Sequence, residues 1–166
     1  MNRLWSPWRS KYIESFSSDV DKSKCIFCEM MDFDVIDLNN LVIDKGEFTI
    51  TVLNLYPYNN GHLMIIPKRH TNDFSGLSNE ELKESFIKLQ EAERALTKVL
   101  NPHGFNIGAN IGRVAGAGIE EHIHFHIVPR WNGDSNFMPV IGEVKVISQD
   151  LKETKTKLLA AYQSLK

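Results

Sequence analysis

GRVAGAGIEEHIHFHIVPR, residues 112–130, is the stretch whose reading decides the fold. Within it His122, Ile123, His124, Phe125, His126 and Ile127 alternate strictly between imidazole and apolar side chains, and Val128 follows. Successive side chains of a β-strand point to opposite faces of its sheet. The pattern predicts a strand over His122–Val128, with three histidines on one face and Ile123, Phe125 and Ile127 buried on the other. Imidazoles on a covered sheet face need polar partners. Three arrangements meet that need: neutral imidazoles converging on a zinc ion, a histidine nucleophile or acid on a phosphate with its neighbours as donors, or a polar face left in water.

The glycines just upstream bear on that choice. Gly112, Gly116 and Gly118 mark a tight turn, whose backbone N–H groups can form a nest for phosphate oxygens. Hairpins also use glycine, so the turn gains meaning only from its place beside the histidines. Arg113 and Arg130 flank the stretch and are suited to neutralise phosphate charge. Farther out, Phe105–Ile111 predicts another strand. A long helix precedes it: Ser78 is the N-cap, Glu81 completes a capping box, and Leu82, Phe86, Leu89, Leu96 and Val99 form one stripe. Asn101-Pro102 ends it.

Toward the N-terminus, Leu41–Asp44 and Phe48–Leu53 predict two strands joined at Lys45-Gly46, and His62–Ile66 a third, after a Pro- and Asn-punctuated loop at Tyr56–Asn60. Cys25–Met31 begins a short helix. Val144–Ile147 is a candidate extra strand, and Leu151–Leu165 a C-terminal helix with Leu158, Leu159 and Tyr162 inward. Strands, a helix and further strands argue an α+β fold with a largely antiparallel sheet. The organisation expected is an N-terminal arm (1–23), a main domain (24–148) and a C-terminal helix (149–166), one domain overall. The arm carries Trp5, Trp8, Tyr12, Ile13 and Phe16, read as aromatics that pack on the body or on a second subunit.

Composition sets limits on function. A net charge of −2 gives no bulk reason to expect a nucleic-acid partner. No apolar run approaches the ~20 residues of a membrane span, and the first ten residues lack a signal-peptide hydrophobic core. A cytoplasmic location without membrane attachment is the expectation. The two cysteines, Cys25 and Cys28, are spaced C-x-x-C; in a reducing compartment that means zinc or a redox pair rather than a structural disulfide.

The run His122–Val128 resembles the signature of the histidine-triad (HIT) family, in which histidines alternate with apolar residues. Asn110-x-Gly112-x-x-Ala115-Gly116 resembles the family's phosphate loop. Asn54-x-x-Pro57-x-x-x-Gly61-His62, Pro67-Lys68-x-His70 and Cys25-Ile26-Phe27-Cys28 resemble its other blocks, in the right order. The resemblance implies a HIT fold, a five-stranded antiparallel sheet with a packed helix, and a homodimer. It implies that His124 is the nucleophile, with His126 and His62 beside it. It places Asn54 at the ribose, and Ile26, Phe27, Met30, Val52 and Leu55 around the purine. Asn110, Gly116, Gly118 and Arg130 complete the nucleotide site. It further implies structural zinc on Cys25, Cys28, His70 and His122, a complete Cys₂His₂ set.

One position departs from the family pattern. Relatives usually carry Gln-Ser or Gln-Thr where this chain has Gly118-Ile119, and Ile119 has no hydroxyl with which to protonate a leaving group. That favours a polyphosphate leaving group over an amine. With the run through Trp131-Asn132-Gly133-Asp134, it makes the chain similar to a bacterial diadenosine-tetraphosphate phosphorylase or hydrolase branch. The expected enzyme is a nucleotidyltransferase or hydrolase that splits dinucleoside polyphosphates at the α-phosphate through a covalent nucleotidyl-histidine. The alternatives are a purine nucleoside phosphoramidase, a nucleotide-binding regulatory module with vestigial turnover, or a three-histidine metal hydrolase.

Overall fold

Alternation of apolar side chains on both faces of short strands dictates a sheet covered on both sides. The computed structural model describes residues 25–134 and 149–165. The arm over 1–23 and the strand expected at Val144–Ile147 lie outside them. In chain order the elements are α1 (Ile26–Met30), β1 (Val42–Lys45), β2 (Thr49–Leu53), β3 (Leu63–Pro67), α2 (Asn79–Leu100), β4 (Gly104–Ala109), one 3₁₀ turn (Arg113–Ala115), β5 (Phe125–Arg130) and α3 (Leu151–Gln163). The strands form one antiparallel sheet in the order β1-β2-β3-β5-β4, so the fold is the α+β architecture expected.

The two faces have different tasks. Ile43, Leu53, Leu63, Ile65, Ile123, Phe125 and Ile127 face the helices, where Leu89, Leu96, Leu158 and Tyr162 meet them. Val42, Ile50, Val52, Met64 and Ile66 point the other way and pack with Phe27 of α1. The second face is the one that carries the histidines.

Helix α2 begins where its capping box predicts. Ser78 Oγ accepts from the Glu81 N–H, and Glu81 Oε2 accepts from the Ser78 N–H at 2.8 Å. It stops at Asn101 in the left-handed region (φ 45°), ahead of Pro102. Phe86 is a correction to the predicted stripe: it is 58% exposed, its ring centroid 6.4 Å from that of Phe125 at the rim of the core. In α3, Leu158 and Tyr162 are buried and Leu159 is half-buried.

The predicted strand His122–Val128 begins three residues later, at Phe125, and runs on to Arg130. Its partner explains the shift. The β3–β5 ladder pairs Leu63 with Ile127, Met64 with His126 and Ile65 with Phe125, and β3 ends at Pro67, which has no N–H. Beyond the ladder the chain is held differently: the Ile123 N–H donates to Thr71 O at 2.7 Å. The alternation survives this departure, with Ile123 still on the helix side.

Helix α3 is anchored by a residue the sequence did not single out. Lys155 is fully buried, and its ammonium donates to Asp37 O (2.8 Å), Asn40 O (3.1 Å) and Asn40 Oδ1 (3.0 Å). Replacing it with Met preserves length but removes all three of these bonds, although Asp37 O and Asn40 Oδ1 each keep a backbone N–H donor, from Asn40 and Val42. The expected loss is about 2–3 kcal/mol of stability, read as a lower urea midpoint at unchanged slope; an unchanged midpoint would refute it.

Candidate functional site

The cysteine–histidine cluster on this face is assembled from three segments. Helix α1 places Cys25 just before its first turn and Cys28 three residues on, a spacing that brings both thiols to one side. His70 follows β3, and His122 precedes β5. Nδ1 of His122 lies 3.3 Å from Cys25 Sγ and 3.7 Å from Cys28 Sγ, and Nδ1 of His70 lies 3.4 Å from Cys28 Sγ. All four ligand atoms fall within 4.8 Å of one another. A tetrahedron built on usual zinc–sulfur and zinc–nitrogen bonds has S–N edges of about 3.6 Å, so the donor set fits such an ion. The four residues could hold a metal.

Hydrogen bonds assign the ring tautomers, and each assignment follows from a backbone group that cannot reverse its role. Nε2 of His122 meets Pro67 O at 2.7 Å, so Nε2 carries the proton and Nδ1 keeps its lone pair toward the thiols. Nδ1 of His124 meets His122 O at 2.8 Å, so its Nε2 keeps a lone pair. The Tyr58 N–H donates to His62 Nδ1 at 3.0 Å, which leaves the His62 proton on Nε2. That nitrogen donates to His126 Nδ1 at 2.9 Å. His126 therefore holds its proton on Nε2, a buried atom with no partner. The result is a lone pair on His124 and a donor on His126, on rings whose centroids are 4.8 Å apart.

Burial keeps these rings neutral. Desolvation pushes His124 below the ordinary histidine range, partly offset by its bond to the His122 carbonyl. His126 is pushed down to about 4, chiefly by burial and further by His124. His122 is lowered by burial as well, against the pull of its bond to Pro67. At pH 7 all three are therefore uncharged, as a nucleophile, a neutral donor and a metal ligand each require.

Other residues expected at the site fall out unevenly. Phe27 is buried and stacks edge-on to His122 (5.6 Å) and His124 (5.0 Å). Val52 is sealed in the core beneath, with Met30 packed against the same cluster; Ile26 and Leu55 are exposed. Asn54 lies beside His62, its Nδ2 at 3.3 Å from Nδ1 of that ring and its Oδ1 accepting from the Tyr56 N–H at 2.9 Å. Asn110 spans the glycine turn, its Nδ2 reaching Tyr58 Oη (3.2 Å) and Gly116 O (3.4 Å). Gly112 and Gly116 have φ of 79° and 91°, a region other residues avoid. Gly118 has open space where a side chain would be.

Arg130 has partners within the chain. It closes the far end of β5, where its guanidinium bonds both carboxylate oxygens of Asp134 (2.6 and 2.7 Å) and Asn106 Oδ1 (2.7 Å). Tyr58 is the residue sequence reasoning missed. Its ring lies 4.7 Å from that of His62 and 5.7 Å from that of His126. It sits in an irregular Pro-Asn loop, where no periodicity marks a side chain as inward.

Known proteins bear on this geometry. The model of the HIT domain matches residues 38–133, more than half of the chain. The chain is 41% identical to the AP-4-A phosphorylase of Mycobacterium tuberculosis over 96% of its own length and 83% of the relative's. It is 30% identical to an adenosine 5'-monophosphoramidase of Schizosaccharomyces pombe, covering 65% of this chain and 75% of that one. Among solved structures, it is similar to a Zn-bound histidine triad family protein from Mycobacterium smegmatis, with 29% identity and a TM-score of 0.68 over 86% of this chain and 96% of that one.

Proposed function

This chain belongs to the HIT-domain family, and we propose that within it the chain splits dinucleoside polyphosphates such as diadenosine tetraphosphate at the α-phosphorus. The observation that carries this reading is the pair of tautomers: a lone pair on His124 Nε2 beside an unpartnered N–H on His126. His124 Nε2 attacks the α-phosphorus. A nitrogen–phosphorus bond forms as the bond to the departing nucleoside polyphosphate breaks. The positive charge gained by the imidazole is stabilised through its Nδ1–H on the His122 carbonyl. His126 donates to a non-bridging oxygen as negative charge develops there, and His62 holds His126 in that tautomer. In the second step phosphate or water attacks the same phosphorus, and the nitrogen–phosphorus bond breaks to release ADP or AMP.

In this reading Asn110, Gly116 and Gly118 receive the phosphates, Asn54 the ribose, and the walls near Ile26, Phe27, Met30, Val52 and Leu55 the purine. Cys25, Cys28, His70 and His122 hold zinc, which ties α1 to the strand that carries His124. A homodimer through β4 also belongs to the reading. That strand lies at the edge of the sheet, and Ile107 and Ile111 are each more than half exposed beside it. Among the described residues no helix is long and apolar enough to cross a membrane.

The phosphoramidase relative keeps a second reading open, and Ile119 separates the two. Its side chain packs against the Phe27 cluster and has no hydroxyl for an amine leaving group. Polyphosphates, which depart without a proton, should be the faster substrates. Chromatography of the products from diadenosine tetraphosphate, with and without phosphate, tests the reaction: ADP and ATP are expected with phosphate, AMP and ATP with water. Comparison of kcat/KM with an adenosine phosphoramidate ranks the classes, and a tenfold preference for the phosphoramidate, about 1.4 kcal/mol in barrier, would reverse the ranking.

A further inference from the structure

Tyr58 links the two halves of the site. Its backbone N–H sets the tautomer of His62, its ring covers both His62 and His126, and its hydroxyl meets Asn110 at the glycine turn. Half-exposed aromatics are ordinary on a protein surface. This one is distinguished by its hydrogen bonding. Asn110 Nδ2 carries two hydrogens, one toward Tyr58 Oη at 3.2 Å and the other toward Gly116 O at 3.4 Å. An amide nitrogen can only donate, so the phenol oxygen is the acceptor and its own proton remains to be given. The ring it belongs to is 47% exposed, and it lies over the imidazole whose Nε2–H is buried without a partner. Gly112 and Gly118 would each meet nothing within 4 Å if they bore a Cβ, so open space adjoins the turn to which Asn110 ties the hydroxyl.

We propose that Tyr58 determines specificity for polyphosphates: its hydroxyl donates to the phosphoryl group next in the chain after the one that His126 receives. A monophosphate reaches His126 and the turn but has no second phosphoryl group to accept the phenol proton. The proposal rests on the assignment of His124 and His126 above and deepens it. A hydrogen bond to a charged oxygen contributes enough for an effect of about tenfold or more in affinity.

Tyr58→Phe isolates the hydroxyl, because the ring and the backbone N–H remain. Dissociation constants for AMP and for a non-hydrolysable methylene analogue of diadenosine tetraphosphate are measured by calorimetry on the wild type and the variant. The expected result is binding of the analogue weakened about tenfold or more, with AMP unchanged within twofold. Equal weakening of both would assign Tyr58 to support of the histidines alone, and no weakening of either would leave the hydroxyl without a ligand; each overturns the proposal. Intact-mass spectrometry of quenched wild-type enzyme runs in parallel. A missing AMP adduct would remove the nucleophile reading, while the ratio of the two dissociation constants would still decide for or against Tyr58.

Discussion

Replacing His124 with Asn is expected to abolish turnover of diadenosine tetraphosphate, by about 10⁴-fold or more, while nucleotide binding stays largely intact. Asn keeps a polar, hydrogen-bonding side chain but offers no nitrogen lone pair, and the lone pair on Nε2 is what the bond from Nδ1–H to the His122 carbonyl preserves. The ring is buried and held neutral, so at pH 7 the wild type has its nucleophile ready. His126→Asn should be milder, at roughly 10²–10³-fold, because a donor to the phosphoryl oxygen assists the step without forming a bond in it. Intact-mass spectrometry of quenched wild-type enzyme should find an acid-labile AMP adduct mapped to His124. An adduct on His122 or His126, or near-normal turnover in His124→Asn, would overturn the mechanism. A metal hydrolase would behave in the opposite way, with no adduct and with activity lost on chelation.

Sequence and structure agree most where one local rule suffices. The capping box of α2 is such a case, since Ser78 and Glu81 need only each other. The histidine face is another: alternation keeps His122 and His124 together although neither is in the ladder. The start of β5 was not legible, because it depends on where β3 runs out of donors, at Pro67, a residue 58 positions away in the chain. The tautomers were equally hidden. They are set by the Tyr58 N–H and by the carbonyls of Pro67 and His122, and backbone groups leave no trace in residue identity. The partner of Arg130 was hidden for a related reason. A cation beside a phosphate-binding motif suggests a phosphate contact, and nothing local announces that the turn at Gly133 also brings Asp134, four residues on, back to it. Lys155 shows the limit from the other side, because a lysine in a helix reads as a solvated charge until three oxygens from the Asp37–Asn40 segment are seen around it.

The second large effect is expected from the four-residue cluster. Elemental analysis of protein purified without added metal should find about one zinc per chain, and a Cys25→Ser, Cys28→Ser double variant should find none. The ligands come from three places: a helix turn at Cys25–Cys28, the segment after β3 at His70, and the approach to β5 at His122. Joining them with one ion fixes α1, and with it Phe27, whose ring lies against both His122 and His124. His122 is already prepared, because its Nε2–H is held by Pro67 and its Nδ1 faces the thiols. Burial raises the Cys28 thiol above the ordinary cysteine value, with its neighbour Cys25 adding to the shift. That disfavours the thiolate unless a cation is there to receive it. Since the sheet and its helix-side core do not depend on the cluster, the variant should still fold, but with Phe27 less well seated. A fall in Tm of roughly 10 °C is expected, which corresponds to about 3–4 kcal/mol for a chain of this size. Zinc absent from the wild type, or retained in full by the double variant, would eliminate the assignment. Loss of zinc with an unchanged Tm would show instead that α1 is held by its apolar contacts alone.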